Sequence, residues 1–349
     1  MRVISWNIEH MNSWFVPNNA PNSPALRASF PGRGFGGGQI DDVPALAQRV
    51  ANVLSRLDPD VICIQEGAGE EEVALFLNQF LPIANGRTWS VFGGAGGAQK
   101  LIVAARTDRD VTSIAIATDN TEMTTKLDEA YEADTDGDAV LETDTRFARV
   151  PLVIDLVAHE QNIRLINCHL KSKFVRNGED LFNGTQAEKL EFFRAALVNR
   201  RRISAEAFRI RTYLDEIFDG SPDRLILLAG DLNDGPGFEF FERRYLTHSV
   251  VDLVFGSVLL PEGQLAHPLI HPGQPLPASA FFDDFVEGIQ NKPLLLDHIG
   301  LSPELSKWLD SARVADAEFD VEVRLGAQQE REKLPSDHRP ILAVLTPPT

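Results

Sequence analysis

Six short stretches of the chain place acids, amides and histidines at the ends of apolar runs. Asn7 and Glu9 follow ISW, with His10 next. Gln65 and Glu66 follow VICI, and Asn167, His169 and Lys171 surround the end of RLINCHL. Asp231 and Asn233 follow LILLAG. Asp297 and His298 open a further apolar stretch, and Ser336, Asp337 and His338 stand just before the last one. A polar group at a strand terminus costs little to desolvate, and strand ends converge on one rim of a sheet. Asp, Glu, Asn and His gathered on such a rim make an oxygen-rich site for a hard divalent cation.

The runs themselves read as short buried strands: Val3–Trp6, Val61–Ile64, Leu101–Ala104, Val111–Ala115, Leu152–Val157, Arg164–Cys168, Leu225–Ala229, His298–Gly300 and Ile341–Leu345. Most are rich in Val, Ile and Leu and bounded by turn residues. Helical patterns lie between them. Val43, Leu46, Val50, Val53, Leu54 and Leu57 recur on one face, with Pro44 in the first turn and Asp41 or Asp42 as cap. A second helix is expected over Glu71–Leu81. A third, long and highly charged, is expected over Gln186–Phe218, with room for a break. No shift in composition and no repeat divides residues 1–349, which read as one large α/β domain. Three insert-like stretches interrupt it near residues 12–39, 119–146 and 261–277. Loops of this length serve as lids or binding loops, and the first, a Pro/Gly-rich stretch directly behind SWNIE, is expected over the site.

Charge narrows the function. The 349 residues include 51 Asp and Glu against 33 Lys and Arg, a formal net charge of −18. Tight non-specific binding of duplex nucleic acid rests on phosphate neutralisation by cations, and this balance argues against it. The acidity is uneven, since Asp119–Arg146 alone holds ten acids and two bases, a net of −8. The remaining acids include the rim carboxylates, so the balance favours recognition of a local phosphate through metal. Within the acidic stretch, DTDGD at Asp134–Asp138 alternates like a Ca²⁺ loop, but Ala139 and Thr145 occupy the positions that want Gly and Glu, so a solvated loop is expected. Arg200, Arg201 and Arg202, with Arg194, Arg209 and Arg211, are expected to pair with Glu191, Glu206, Asp215 and Glu216 on a solvated helix face. Cys63 and Cys168 sit in apolar runs and read as buried thiols of a reducing compartment. No apolar run approaches the roughly 18 residues that span a bilayer. MRVISWNIEH does not read as a secretory signal, so a cytoplasmic location is expected; a secreted form with its leader cut away would look the same.

SWNIE, IQEG, NCHLKS, GDLND, LDHIG and SDHRPI, in that order from Asn7 to His338, resemble the endonuclease/exonuclease/phosphatase superfamily. That group includes pancreatic-type deoxyribonuclease, abasic-site endonucleases, neutral sphingomyelinases and inositol polyphosphate phosphatases. The resemblance implies a four-layer α/β/β/α sandwich, two mixed β-sheets packed face to face with helices outside. It also implies a hydrolase using Mg²⁺ or Mn²⁺, with Ca²⁺ only weakly supported. By motif match, Glu66 would be the principal metal ligand, with Asn7 and Asp337 contributing and Glu9 at a position acidic in some members. His338 matches the catalytic histidine and Asp297 its partner, a carboxylate that fixes the imidazole tautomer. Asp231 would orient or deprotonate the attacking water, Asn233 would hold that water or a phosphate oxygen, and His169 would face the scissile phosphate or the leaving group. Arg149, Lys171 and His10 are candidate substrate contacts, each also readable as an ordinary edge charge or packed side chain. His298 reads as structural.

The expected chemistry is hydrolysis of a phosphoester, most simply a phosphodiester, by in-line attack of water on phosphorus. The substrate would be a small molecule, a lipid head group or a nucleic acid, and no protein partner is implied. Two alternatives stand beside it: a nuclease on DNA or RNA, and a phosphate-ester binding module of the same fold without catalysis. The last would have lost a ligand or the histidine, and every such position is filled here.

Overall fold

Strands that are apolar on both faces must be covered on both faces, and that requirement organises the chain. The computed structural model describes residues 1–348 apart from 18–19, 21–22, 33–38, 95–96, 118–123, 238, 246 and 324–333. One six-stranded sheet contains β1 (Arg2–Asn7), β2 (Val61–Gly67), β3 (Ser90–Gly93), β4 (Lys100–Ala105), β14 (Leu309–Val314) and β15 (Ile341–Leu345), in the order β14-β15-β1-β2-β4-β3. A five-stranded sheet contains β5 (Val111–Ile116), β8 (Leu152–Ala158), β9 (Gln161–His169), β10 (Leu225–Asp231) and β13 (Asp297–Leu301), in the order β13-β10-β9-β8-β5. Two ribbons stand apart, β6 (Tyr131–Ala133) with β7 (Glu142–Thr145), and β11 (Ala280–Asp284) with β12 (Ile289–Leu294).

The sheets pack face to face through Val3, Val61 and Cys63 on one side and Leu165, Leu227 and Ala229 on the other. The outer face of the larger sheet is covered by α1 (Val43–Leu57) and α2 (Glu70–Phe80), which bury Ile4, Trp6, Ile62 and Ile64. The outer face of the smaller sheet is covered by α4 (Gln186–Gly220) and α6 (Val250–Phe255), which bury Ile166, Cys168, Ile226 and Leu228. Short helices complete the chain: α3 (Gly178–Asn183), α5 (Phe240–Tyr245), α7 (Pro303–Ser306) and α8 (Asp316–Asp320). The four expected layers are therefore present.

Local sequence accounts for the helix ends. Asp42 caps α1 by accepting from Ala45 N at 2.9 Å, and Pro44 sits where its missing N–H is harmless. Thr185 and Glu188 form a capping box at the start of α4, which then runs 35 residues as one helix.

One expectation fails on burial. The solvated face assigned to the arginine run of α4 is partly core. Arg200, Glu206 and Arg211 are buried, because they fall at helical spacing among Ala196, Ile203, Ala207, Ile210 and Leu214. Arg200 lies 3.9 Å over the Phe241 ring, and Arg211 pairs with Asp215 at 2.7 Å. Arg201 and Arg202 are exposed as expected. Within the first insert, Trp14 and Phe15 pack with Met11, Ile40, α1 and α2, since apolar side chains of this size are driven into the nearest core. The glycine-rich residues 33–38 fall outside the described residues.

Candidate active site

Each large sheet contains one parallel pair, β1 with β2 and β9 with β10. All four strands carry polar residues at their C-terminal ends, where the inward-facing series simply continues past the apolar core. Val3 and Ser5 lead to Asn7, Val61 and Cys63 to Gln65, Leu165 and Asn167 to His169, Leu227 and Ala229 to Asp231. The period of two thus turns these side chains into the crevice between the sheets. Asp297 enters the same crevice because β13 runs antiparallel to β10 with Asp231 opposite Asp297. His338 enters from the approach to β15, which pairs with β1.

A cross-sheet clamp fixes the spacing. Gln65 Nε2 donates to Asn167 Oδ1 at 2.7 Å. Asn167 Nδ2 donates to the carbonyls of Ile64 and Ile102 at 3.1 and 3.0 Å, where the β2–β4 pairing is interrupted between Ile64 and Gly67. Glu66 sits on that interruption with φ 58°, a left-handed conformation that swings its carboxylate out of the strand alternation. Oε2 of Glu66 accepts from His10 N at 2.9 Å.

At the centre, His338 Nδ1 lies 2.7 Å from Asp297 Oδ2, both residues being buried. His338 Nε2 points to Asp231 Oδ2 at 3.9 Å, and His169 Nε2 lies 3.4 Å from the same oxygen. Asn7 Nδ2 donates to Asp231 Oδ2 at 2.9 Å, and Asn233 N donates to Asp231 Oδ1 at 2.8 Å. Ser336 Oγ donates to the Asn7 carbonyl at 2.7 Å and lies 3.4 Å from Asp337 Oδ1, which ties Asp337 to the end of β1.

The electrostatics separate the two histidines. Burial opposes charge on His338, but Asp297, Asp231 and Asp337 together outweigh it and hold the imidazole well above its ordinary range. Burial, with Arg149, His338 and His10 nearby, drives His169 well below it, so His169 is neutral. Burial pushes the Asp231 carboxyl up to about 7, against the pull of His338.

Of the candidate substrate contacts, Arg149 is the most enclosed. Burial lowers its guanidinium pKa against the opposing charges of Glu66, Asp231 and Glu206, which places it between the two halves of the site. Its Nη1 donates to the Leu170 carbonyl at 3.4 Å. Lys171 is half-buried, its Nζ donating to the Ser172 carbonyl at 3.2 Å. His10 Nδ1 lies 3.4 Å from both Glu66 Oε2 and Gln99 Nε2. Glu9 is half-buried on the turn after β1. His298 is structural, with its ring nitrogens 2.8 Å from His267 Nε2 and from the Asp234 carbonyl.

The residues fit a hard cation. Asn7 Oδ1 is a buried acceptor that meets no donor, because the Asn7 amide is turned toward Asp231. An amide oxygen of this kind, like the carboxylates of Glu66 and Asp337 named by the sequence, is a hard donor of the sort Mg²⁺ and Mn²⁺ prefer. Asp231, Asp297 and His338 also bring one donor atom each within 4.8 Å of one another. Two of these residues are already joined in the His338–Asp297 bond, so this trio is better placed for proton handling. In the acidic insert, Asp134, Asp136 and Asp138 converge as well, but Asp134 accepts from Gly137 N and Ala139 N and faces Arg201 at 3.6 Å. That is the geometry of a self-satisfied turn.

Sequence reasoning missed two features. Glu206, on α4, reaches the strand ends and accepts from Ala148 N and Lys171 N, both at 2.7 Å. Its signal was a lone acid on the apolar stripe of a helix. The other is a cavity of about 1090 Å³ that opens beside Asn233 and His338, bordered by Leu276 and Pro277 of the third insert.

The profile of the Endonuclease/Exonuclease/phosphatase family matches residues 4–338. No curated protein matches the chain. Among solved structures, a humanized TDP2 from D. rerio is 14% identical, with 98% of this chain and 97% of that one covered at a TM-score of 0.47. An AP endonuclease from Archaeoglobus fulgidus is 13% identical, with 99% of each chain covered at a TM-score of 0.49. A 3'-5' exonuclease from Neisseria meningitidis is 17% identical, with 99% of this chain and 100% of that one covered at a TM-score of 0.47.

Proposed function

We propose, from the premise that this chain belongs to the Endonuclease/Exonuclease/phosphatase family, that its metal-dependent phosphoester hydrolysis is directed at phosphodiesters and runs through the residues gathered between the sheets. The observation that carries the reading is the enclosed His338–Asp297 pair, with its free imidazole nitrogen aimed at Asp231. Glu66, Asn7 and Asp337 would hold Mg²⁺ or Mn²⁺, with Glu9 nearby. The bound cation would neutralise charge developing on the phosphoryl oxygens.

The chain's own groups divide the remaining work. Asp231, with its carboxyl raised toward neutrality, is suited to take a proton from water at Oδ2. Asn233 and Asn7 fix its orientation through one hydrogen bond to each carboxylate oxygen. His338, charged and held by Asp297, offers Nε2–H to a phosphoryl oxygen. Neutral His169, with Nε2 3.4 Å from Asp231 Oδ2, and the Arg149 guanidinium are suited to orient the ester. The free, fully buried Cys63 and Cys168 support a reducing cytoplasm as the place of work.

The test is a substrate panel with Mg²⁺, Mn²⁺ and EDTA: bis-p-nitrophenyl phosphate, phosphomonoesters, sphingomyelin, and single- and double-stranded DNA and RNA. Metal-dependent release of p-nitrophenolate, lost in EDTA and in His338→Ala, is the expected result. Turnover of nucleic acid alone, falling steeply with salt, would assign a nuclease instead. No hydrolysis of any ester with either metal would leave a binding module.

A further inference from the structure

We infer that the cavity beside His338 is a pocket for an uncharged apolar ester group, aryl or alkyl, of the phosphodiester; the inference rests on the hydrolase reading above. The cavity measures about 1090 Å³ and runs from Asn233 and His338 to a floor made by Phe192, Phe241 and Phe285. Phe282, on the β11–β12 ribbon, stands at its inner mouth with its ring edge-on to His338 at 5.9 Å. A group occupying the cavity is therefore one ester bond from a phosphorus seated at the dyad.

The walls select by charge as well as shape. Seven acids and four bases line the cavity, and all four bases are already paired. Lys173 faces Asp234 and Glu239 at 2.6 and 2.9 Å, and Lys292 faces Asp284 and Glu287 at 2.7 and 2.6 Å. Arg200 is held by Glu239, and Arg243 lies 3.5 Å from Glu287. Apart from His338 at the dyad, the described lining therefore offers no uncommitted cation to a second phosphate or a carboxylate, while Asp180, Glu179 and Asp283 add negative charge. Phenyl rings at the floor reward apolar area directly.

The test is competition against hydrolysis of bis-p-nitrophenyl phosphate by the full chain with Mn²⁺, backed by calorimetry. The probes are inorganic phosphate, methyl phosphate, phenyl phosphate, hexyl phosphate and phosphoglycolate. Phenyl and hexyl phosphate should bind at least tenfold tighter than methyl phosphate, and phosphoglycolate weaker. Phe285→Ala should cut the phenyl and hexyl advantage at least fivefold and leave inorganic phosphate unchanged. Leu276→Asp, at an exposed position on the rim that the fold does not need, should weaken hexyl phosphate the same way. If inorganic phosphate binds and the diester is hydrolysed, but the apolar probes gain nothing or phosphoglycolate binds best, the pocket inference alone falls. If no phosphate binds and no ester is cleaved, the hydrolase reading falls with it.

Discussion

Asp231 and Asp234 stand three residues apart on the segment that ends β10, and each anchors a group of three side chains able to hold a cation. The groups are built in opposite ways. Around Asp234, Lys173 bridges to Glu239, and Arg200 reaches Glu239 and, at 3.6 Å, Glu242. Asp234 Oδ2 also accepts from Val250 N at 2.8 Å, so its charge is matched and its oxygens are used. Around Asp231 no lysine or arginine pairs directly, among the described residues. Asn7 Oδ1, Asp297 Oδ1 and His169 Nδ1 are buried with no partner. Buried polar atoms are nearly always satisfied, so a cluster of unsatisfied ones marks where a ligand completes the structure. Proximity of acids is common to both groups; what separates them is the balance of charge and donors. One group is a brace for the loop, the other a site.

The sharpest way to break this contrast is to separate activity from stability. His338→Ala and Glu66→Gln should each lower kcat/KM by about a thousandfold, or about 4 kcal/mol, with little change in Tm. Asp297→Ala should act through His338, so the double variant should be no worse than the worse single; additive losses would dissolve the pair. In the brace the order should reverse. Lys173→Met leaves the buried Asp234 carboxylate without its counter-ion and should cost about 3–5 kcal/mol of stability by urea unfolding. If Lys173→Met is as stable as wild type, Asp234 and Glu239 are not a structural ion network.

Metal should distinguish the clusters next. At a hundred times Kd, ligation to the folded state stabilises by about 2.7 kcal/mol, and thermal melts with Mg²⁺ or Mn²⁺ should show the shift. Glu66→Gln should abolish it and Asp234→Asn should keep it. A shift lost in Asp234→Asn and kept in Glu66→Gln would move the cation to the wrong cluster.

Much of this was readable before the structure. Strands covered on both faces carry their burial in their own residues, so Val61–Ile64 or Leu225–Ala229 announce themselves. Strands that borrow stability from a neighbour do not: β12, IQNKPL, is largely exposed and contains a proline, and β14, LDSARV, is half polar and buries only Val314. The site acids and histidines were legible because each terminates an apolar run. The cavity was not, since Phe192, Phe241 and Phe285 come from three distant segments with no local pattern in common. Arg200, Glu206 and Arg211 were misread because charge outweighed position in the reading, although their helical spacing placed them on the buried stripe.

Acidity offers a finer contrast. The Asp231 carboxyl is raised in the fold from 3.8 to about 7, so folded protein binds that proton more tightly than unfolded protein does. Its contribution therefore declines as pH rises from about 4 to 7. His338, raised well above 6.5, contributes stability that is present below 6.5 and lost as pH climbs through its folded value. Glu239 behaves oppositely: burial opposes its charge, but Lys173 and Arg200 lower it below 4.5, so its contribution is present above 4.5 and lost on acidification. Metal-free melts in EDTA should thus fall by a few degrees from pH 5 to 8. Asp231→Asn should flatten that neutral-side decline, and Glu239→Gln should flatten the acid side instead. Parallel curves for wild type and Asp231→Asn would remove the strain assigned to the site.

The smallest effect should come from Glu206, which belongs to neither group but holds the frame of one. Its two oxygens each accept one backbone N–H at 2.7 Å, from Ala148, beside Arg149 in the connection before β8, and from Lys171, just past His169 at the end of β9. Glutamine has the same shape but one acceptor oxygen, so Glu206→Gln turns an NH₂ toward one of those N–H groups. The expected cost is about tenfold in kcat/KM, or about 1.4 kcal/mol, with the metal-induced rise in Tm intact. Burial pushes the Glu206 carboxyl up to about 7, and only the ionised form accepts at both oxygens. Wild-type activity should therefore fall below neutrality through two protonations, at Asp231 and at Glu206, with a log slope approaching two. In Glu206→Gln one of these disappears and the slope should fall to one. An unchanged slope would show that Glu206 merely fills space under the strands, because a residue that only packs has no reason to appear in the pH profile.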